Sequence, residues 1–335
     1  MKNVLILILL VTSIIGCKSN KKAPDITHIP IKITVERFEQ DLFAKDGKPI
    51  NQKMDLLSKK YGAFFNDFLY NILALAPQQD STMQGLAKFI EVYQPIYDST
   101  QVLYGKQIPI REVTEGLQYI KYYFPTYAIP NKIITYVGPI EGYGTVLTTS
   151  GLAVGLQMYL GANFSVYQTD YIREIYPSYQ SNRFDKNYLA VNCINNILED
   201  IEPTNIAGKP LIEQMIELGK KQYILQACLP NTANHLLYGY TEQQLAGCEK
   251  NEAYIWNFFL QNDLLYKKDP LLVRDYVNDG PKTEALGDAS PGNIGKFIGH
   301  KIVNKWMQQQ KEASMNTLLA TEASTIFTEA KYKPK

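Results

Sequence analysis

The chain has 335 residues, 45% of them hydrophobic and 20% charged, enough length and apolar content for one sizeable core or two small ones. Its 34 basic side chains nearly balance 33 acidic ones, and the resulting charge of +1 excludes the concentrated basic surface that nucleic-acid binding requires. Twenty-four tyrosines predict an aromatic-rich globule, because a tyrosine buries its ring while hydrating its hydroxyl. No shift in composition marks a linker, so residues 29–335 read as a single globular domain.

Residues 1–16 read as a signal peptide and stand outside the fold. Lys2 supplies a positive start, residues 4–11 a short apolar run, and Ile14-Ile15-Gly16-Cys17 has the form of a lipobox. The apolar run is too short to span a bilayer, which takes about 20 residues. Cleavage before Cys17 and acylation of its thiol are expected, which makes Cys17 the lipidation site and the membrane anchor. Residues 17–28 are polar, with Asn20, Lys21, Lys22, Pro24 and Asp25, and read as a tether with an extended reach of roughly 35 Å. Their charge near Cys17 is basic rather than acidic, which favours a periplasm-facing protein; which membrane carries it stays open.

In chain order, residues 31–35 alternate as a half-buried strand does. Residues 61–75 predict an aromatic helix burying Phe64, Phe65, Phe68, Leu69 and Ile72 and stopping before Pro77. Helices follow at 83–97 and 112–124. The period then changes, and 133–137 and 145–147 read as strands punctuated by Gly138, Pro139, Gly142 and Gly144. They lead into 151–161, which is apolar on every side except at Gln157 and therefore predicts an interior helix around which the rest packs. Helices are expected again at 186–199 and 210–225. A capping-box pattern at Thr241 and Gln244 opens a long aromatic helix ending near 265. Ser290-Pro291 opens another, with Ile294, Ile298, Ile302 and Trp306 on one stripe and Lys296, His300 and Asn304 on another face, so that His300 is expected to be wet. The fold class is mostly α-helical α+β, a small sheet against the central helix 151–161.

Chemistry is sparse. His28, His235 and His300 are far apart, no H-E-x-x-H, nucleophile elbow, P-loop or dinucleotide fingerprint occurs, and no metal or cofactor is expected. Cys193, Cys228 and Cys248 are odd in number and read as buried free thiols, with a Cys228–Cys248 bridge as the alternative. The loops 139–144 and 279–281 and the glycine-rich run 290–295 are the places where a cleft or partner surface is expected. Glu141, Asp279, Asn293, Lys296 and His300 are its candidate residues.

Several separate stretches agree on one family. The lipobox at Cys17, Glu36-Arg37-Phe38-Glu39-Gln40-Asp41-Leu42-Phe43, Gly155-Leu156-Gln157-Met158-Tyr159-Leu160-Gly161, the run from Ser290 to Gly299, and the closing Lys331-Tyr332-Lys333-Pro334 resemble the gliding-motility lipoprotein GldB family. The resemblance implies an envelope lipoprotein associated with gliding motility and the type IX secretion apparatus. Its implied partners are the membrane, through Cys17, and envelope proteins of that machinery, with no nucleic acid. It carries no activity onto particular residues, so binding or scaffolding is the implied mode. The expected layout, strands feeding a central helix, is also loosely similar to zinc peptidases whose H-E-x-x-H lies on such a helix, and a degenerate or cryptic hydrolase acting on an envelope substrate is the alternative.

Overall fold

A computed structural model describes residues 23–334; Cys17 and the leader lie outside the described residues. The organising element is a four-stranded sheet built from β1 (Thr34–Arg37), β2 (Lys132–Tyr136), β3 (Thr145–Thr148) and β4 (Gly151–Gly155), in the order β1-β2-β4-β3. The strands β1, β2 and β4 are parallel, with Val35 opposite Ile133 and Ile133 opposite Leu152, whereas β3 pairs antiparallel on β4 at the edge. Alternate side chains of β2 and β4 feed two cores. Ile133, Leu152 and Val154 point into the larger one, and Ile134, Tyr136 and Ala153 into the smaller.

The expected interior helix 151–161 is therefore corrected: it is strand β4 followed by a single 3-10 turn, Leu156–Met158. A central parallel strand is covered on both faces and carries the same unbroken apolar run as a buried helix, so periodicity alone does not separate the two. What decides is the turn before it. Thr149 and Ser150 close a tight hairpin from β3, and Gly151 has φ +140° with the Lys132 carbonyl only 2.7 Å from where a Cβ would stand. Only glycine suits that backbone and that approach. The stretch keeps its central place, but as a strand.

The smaller core is assembled from sequence-local helices: α1 (Phe38–Leu42), α2 (Ile50–Tyr61), α3 (Ala63–Asn66) running into a π-helical turn at Asp67–Ile72, and α4 (Gln79–Tyr104). Phe38 packs edge-on against Tyr61 and Phe64 at centroid distances of 4.9 and 5.2 Å, the preferred aromatic geometry. Beside it the fully buried Glu39 pairs with Arg37 at 2.6 Å and accepts from the Thr135 hydroxyl at 2.6 Å. Burial nevertheless holds its carboxyl above the usual range. This cluster ties α1 to β2.

The larger core takes in α5 (Arg111–Tyr123), α6 (Asp170–Ile175), α7 (Ser178–Ser181), α8 (Leu189–Ile201), α9 (Leu211–Cys228), α10 (Asn234–Tyr238), α11 (Glu242–Lys250), α12 (Glu252–Gln261), α13 (Pro270–Val277), α14 (Ile294–Gln309), α15 (Met315–Ala320) and α16 (Ala323–Ala330). Its axis is the α9–α14 pair, the most extensively packed pair of elements. A Cβ on Gly219 would lie 2.2 Å from the Gly299 carbonyl carbon, and one on Gly299 would lie 1.6 Å from the Met215 oxygen. The two backbones touch there. The mostly α, α+β architecture read from the sequence is the observed one.

Three further expectations change. The capping box at Thr241 and Gln244 forms, but the long helix behind it breaks at Asn251, whose side chain donates to the Gly247 carbonyl at 2.8 Å and competes with helix continuation. His300 is not on a wet face: α14 is enclosed by α9, α13 and α16, and His300 is only 4% exposed. The end of the tether is laid on α5, with the Gln118 amide donating to the Ile29 carbonyl at 2.9 Å and Tyr119 reaching the Pro24 carbonyl at 3.4 Å. Cys193, Cys228 and Cys248 are buried free thiols. Among the described residues no helix is long and apolar enough to cross a membrane.

Candidate functional site

The segment 176–188, helix α8, helix α10 and the start of α14 meet around a cleft of ≈ 300 Å³. Its walls are aromatic and aliphatic, including Tyr176, Phe184, Tyr188, Val191 and Leu237, and its polar groups are Gln180, Arg183, Asn192, Asn195 and Lys296. The lining mixes polar and apolar surface, with the polar groups gathered on one cleft, as a site for a polar ligand requires.

Lys296 is the central one. Its ammonium donates to the Tyr238 carbonyl at 2.7 Å and stands 5.9 Å from the centroid of the Tyr240 ring. Among the described residues it makes no ion pair. Burial, reinforced by the charge of Arg183 and partly offset by Asp279, pulls its pKa down to about 8. Arg183 forms an ion pair with Asp279 and lies so close to the turn after α10 that a Cβ on Gly239 would stand 2.9 Å from its guanidinium. Asp279 therefore pairs directly with Arg183 and acts on Lys296 only at longer range.

Tyr238 joins the cleft to the interior. Its carbonyl accepts a hydrogen bond from the Lys296 ammonium, and its hydroxyl bonds to His300 Nδ1. With that hydroxyl donating, the ring proton sits on Nε2, which is buried without a partner. Burial and the Lys301 charge hold the His300 pKa down at about 3, so the ring is neutral at physiological pH. On the opposite wall Asn192 donates to the Tyr159 hydroxyl at 3.0 Å, which also bonds to Thr145 at 2.7 Å and so connects the cleft to β3. Asn195, one turn further along α8 and half-buried, has no hydrogen-bond partner among the described residues. Cys193 lies behind them, its thiol pushed up to about 12 by burial.

The fold gathers four of the five residues singled out in the sequence. Lys296 lines the cleft, Asp279 neutralises Arg183 at its rim, and His300 lies one turn behind Lys296. Asn293, left-handed at φ 53°, precedes the first turn of α14, where its carbonyl accepts from the Tyr240 hydroxyl at 2.9 Å and its buried Oδ1 is unpartnered. Glu141 is exposed in the turn between β2 and β3 and acts from a distance: after burial, its charge is the next cause raising the Tyr176 phenol. Sequence reasoning missed Arg183, Asn192, Asn195 and Tyr238. The one available signal was the polar Asn192, Asn195 and Asn196 in an otherwise apolar helical run.

Among the described residues no group of three or more His, Cys, Asp or Glu side chains converges as a metal site would require. The arrangement is suited instead to holding an anion, with two ammonium protons of Lys296, the Arg183 guanidinium paired on one side with Asp279, and side-chain amides around the cavity. The other glycine-rich and closing motifs are packing devices. Gly292 and Gly295 abut the carbonyls of Gly280 and Tyr276, and the Tyr332 hydroxyl donates to Glu252 at 2.6 Å.

No curated protein and no solved structure matches the chain. The family described as gliding motility protein GldB matches residues 19–334, which include the stretches 36–43, 155–161, 290–299 and 331–334 on which the resemblance rested. The match spans nearly the whole chain, and the protein belongs to the GldB family of gliding motility proteins.

Proposed function

We propose that the protein is a cell-envelope lipoprotein, held in the membrane by acylated Cys17, whose single domain 29–335 faces the periplasm and serves gliding motility and type IX secretion by binding an envelope component. The supporting observation is the state of the groups at and behind the cleft. The thiol of Cys193 and the ring of His300 are held neutral and enclosed, whereas Lys296 and Asn195 keep donors for a ligand. That combination supports recognition as the main role.

The anchor and the partner are tested together. Cys17→Ser, with the leader retained, is expected to accumulate as an unacylated precursor in mass spectra, and crosslinking in cells is expected to recover envelope proteins of the gliding or secretion machinery with the unaltered chain. Normal processing and acylation of the Ser variant would reject the anchor. Absence of any such partner would reject the binding role.

A second reading, residual hydrolysis of an envelope substrate, draws on Lys296. A pKa of about 8 leaves part of the amine neutral near physiological pH, the form a general base needs. Turnover of an envelope peptide by the purified protein, lost in Lys296→Met, would establish it; no turnover under those conditions would dismiss it.

A further inference from the structure

We propose that the cleft between α8, α10 and α14 captures the C-terminal carboxylate of a peptide chain, with Lys296 and Arg183 on the carboxylate and the side-chain amides of Asn195 and Gln180 on the last peptide groups. The inference deepens the binding role proposed above and rests on it.

Charge limits the kind of anion. Arg183 and Lys296 are two positive charges, Asp279 pairs with Arg183, and Asp185 is a further carboxylate close enough to act on the Tyr188 phenol of the lining. So small an excess of positive charge suits a singly charged carboxylate better than a phosphate dianion. Donors are available: an ammonium has three protons, and Lys296 uses one on the Tyr238 carbonyl. Amides distinguish a chain end from a free small acid. A side-chain amide offers both a donor and an acceptor, the complement of a peptide group, and Asn195 has both unused among the described residues. The remaining wall, Val191, Leu237 and Tyr188, suits a terminal apolar side chain. At ≈ 300 Å³ the cavity lies at the low end of ligand sites, roughly 300 to 1,000 Å³, and has room for the end of a chain rather than for a folded segment. Capture of a terminal carboxylate is an established mode of peptide recognition.

The experiment uses the full-length protein in detergent micelles. Two pools of N-acetylated tripeptides, mixed at all three positions, are equilibrated with it by dialysis, one pool with free C-terminal acids and the other with C-terminal amides. Retained peptides are quantified by mass spectrometry. The acid pool is expected to be retained at least about tenfold more strongly than the amide pool. Lys296→Met and Arg183→Gln should each abolish that preference, and retention should fall as pH rises through about 8, where Lys296, flanked by Arg183, Asp279 and the Tyr238 and Tyr240 rings, loses its proton. Thermal unfolding checks that the variants are folded. Arg183, nearer the rim, keeps the test valid should the Lys296 variant fail that check. Equal retention of acids and amides overturns the carboxylate inference while leaving a binding role intact. Phosphate displacing the acid pool more effectively than acetate overturns it in favour of a free-anion site. Retention of neither pool overturns it as well, and crosslinked partners that persist in cells carrying Lys296→Met would then show that the binding role operates through another surface.

Discussion

Two positions less than one turn apart on α14 are handled in opposite ways. At Gly299 the backbone presses on the Met215 carbonyl of α9 so closely that no side chain fits between them. At Lys296 a cation is placed in the wall of a cavity with a single carbonyl for a partner. The first arrangement maximises contact and contributes stability. The second leaves a charge short of partners, which opposes folding and is tolerated at sites that must bind something. The helix is thus fastened at one residue and left chemically unsaturated three residues earlier, so the two should respond to mutation with opposite signs.

The largest effect is expected at the fastening. Gly299→Val needs α9 and α14 to move apart along their contact; overpacking costs about 1 to 3 kcal/mol and sometimes more, and here the upper end or outright failure to fold is expected in urea unfolding. An unfolding midpoint equal to wild type would mean that the helix pair is not in backbone contact.

Gln157→Leu comes next. Its buried amide accepts from the Gly138 N–H at 3.0 Å and lies 3.4 and 3.3 Å from the Pro139 and Tyr143 carbonyls, pinning the turn between β2 and β3. Leaving such groups unsatisfied costs about 1 to 3 kcal/mol each, so a loss of about 2 kcal/mol is expected. Unchanged stability would place that turn in solvent.

His300 sharpens the contrast through pH. Its folded pKa of about 3 lies below the ordinary 6.5, so the unfolded chain binds more protons in that window, and the stability it contributes is lost as pH falls from about 6.5 toward 3. His300→Phe removes this slope while leaving the Tyr238 hydroxyl without its acceptor. The variant should be less stable than wild type at pH 7, by about 1 kcal/mol, and should close that gap or reverse it by pH 4. Parallel loss in both proteins would show that the imidazole is hydrated in the folded state.

Much of the fold was legible because it is local. The strands at 133–137 and 145–147, the helix around Phe64 to Ile72 and the capping box at Thr241 follow from neighbouring residues, and each is present with shifts of a few positions. Residues 151–161 were misread because a strand covered on both faces and a buried helix present the same apolar run; the distinguishing contact, Gly151 against Lys132, lies across the sheet. His300 was misread because the burial of α14 depends on how closely Gly219 lets α9 approach. The cleft was half legible. Lys296 and Asp279 stood out by residue type, but Arg183 meets Asp279 across 96 positions of sequence, and nothing near Arg183 announces that pairing.

The central claim, that Lys296 is a partly buried cation held short of partners for a ligand, is tested most directly by the stability of Lys296→Met relative to wild type as a function of pH. Its pKa of about 8 in the fold, against 10.5 unperturbed, means that the unfolded chain binds the extra proton between those values, so wild-type stability rises with pH across that window. At full weight the penalty below pH 8 is about 3 kcal/mol; the lost bond to the Tyr238 carbonyl offsets about 1 to 2 of it. Urea unfolding should therefore find Lys296→Met more stable than wild type by about 1 kcal/mol at pH 7, with the advantage shrinking and changing sign as pH rises from 8 toward 10.5. A variant less stable than wild type by the same amount at every pH would contradict the account, because Lys296 would then be an ordinary well-paired structural lysine.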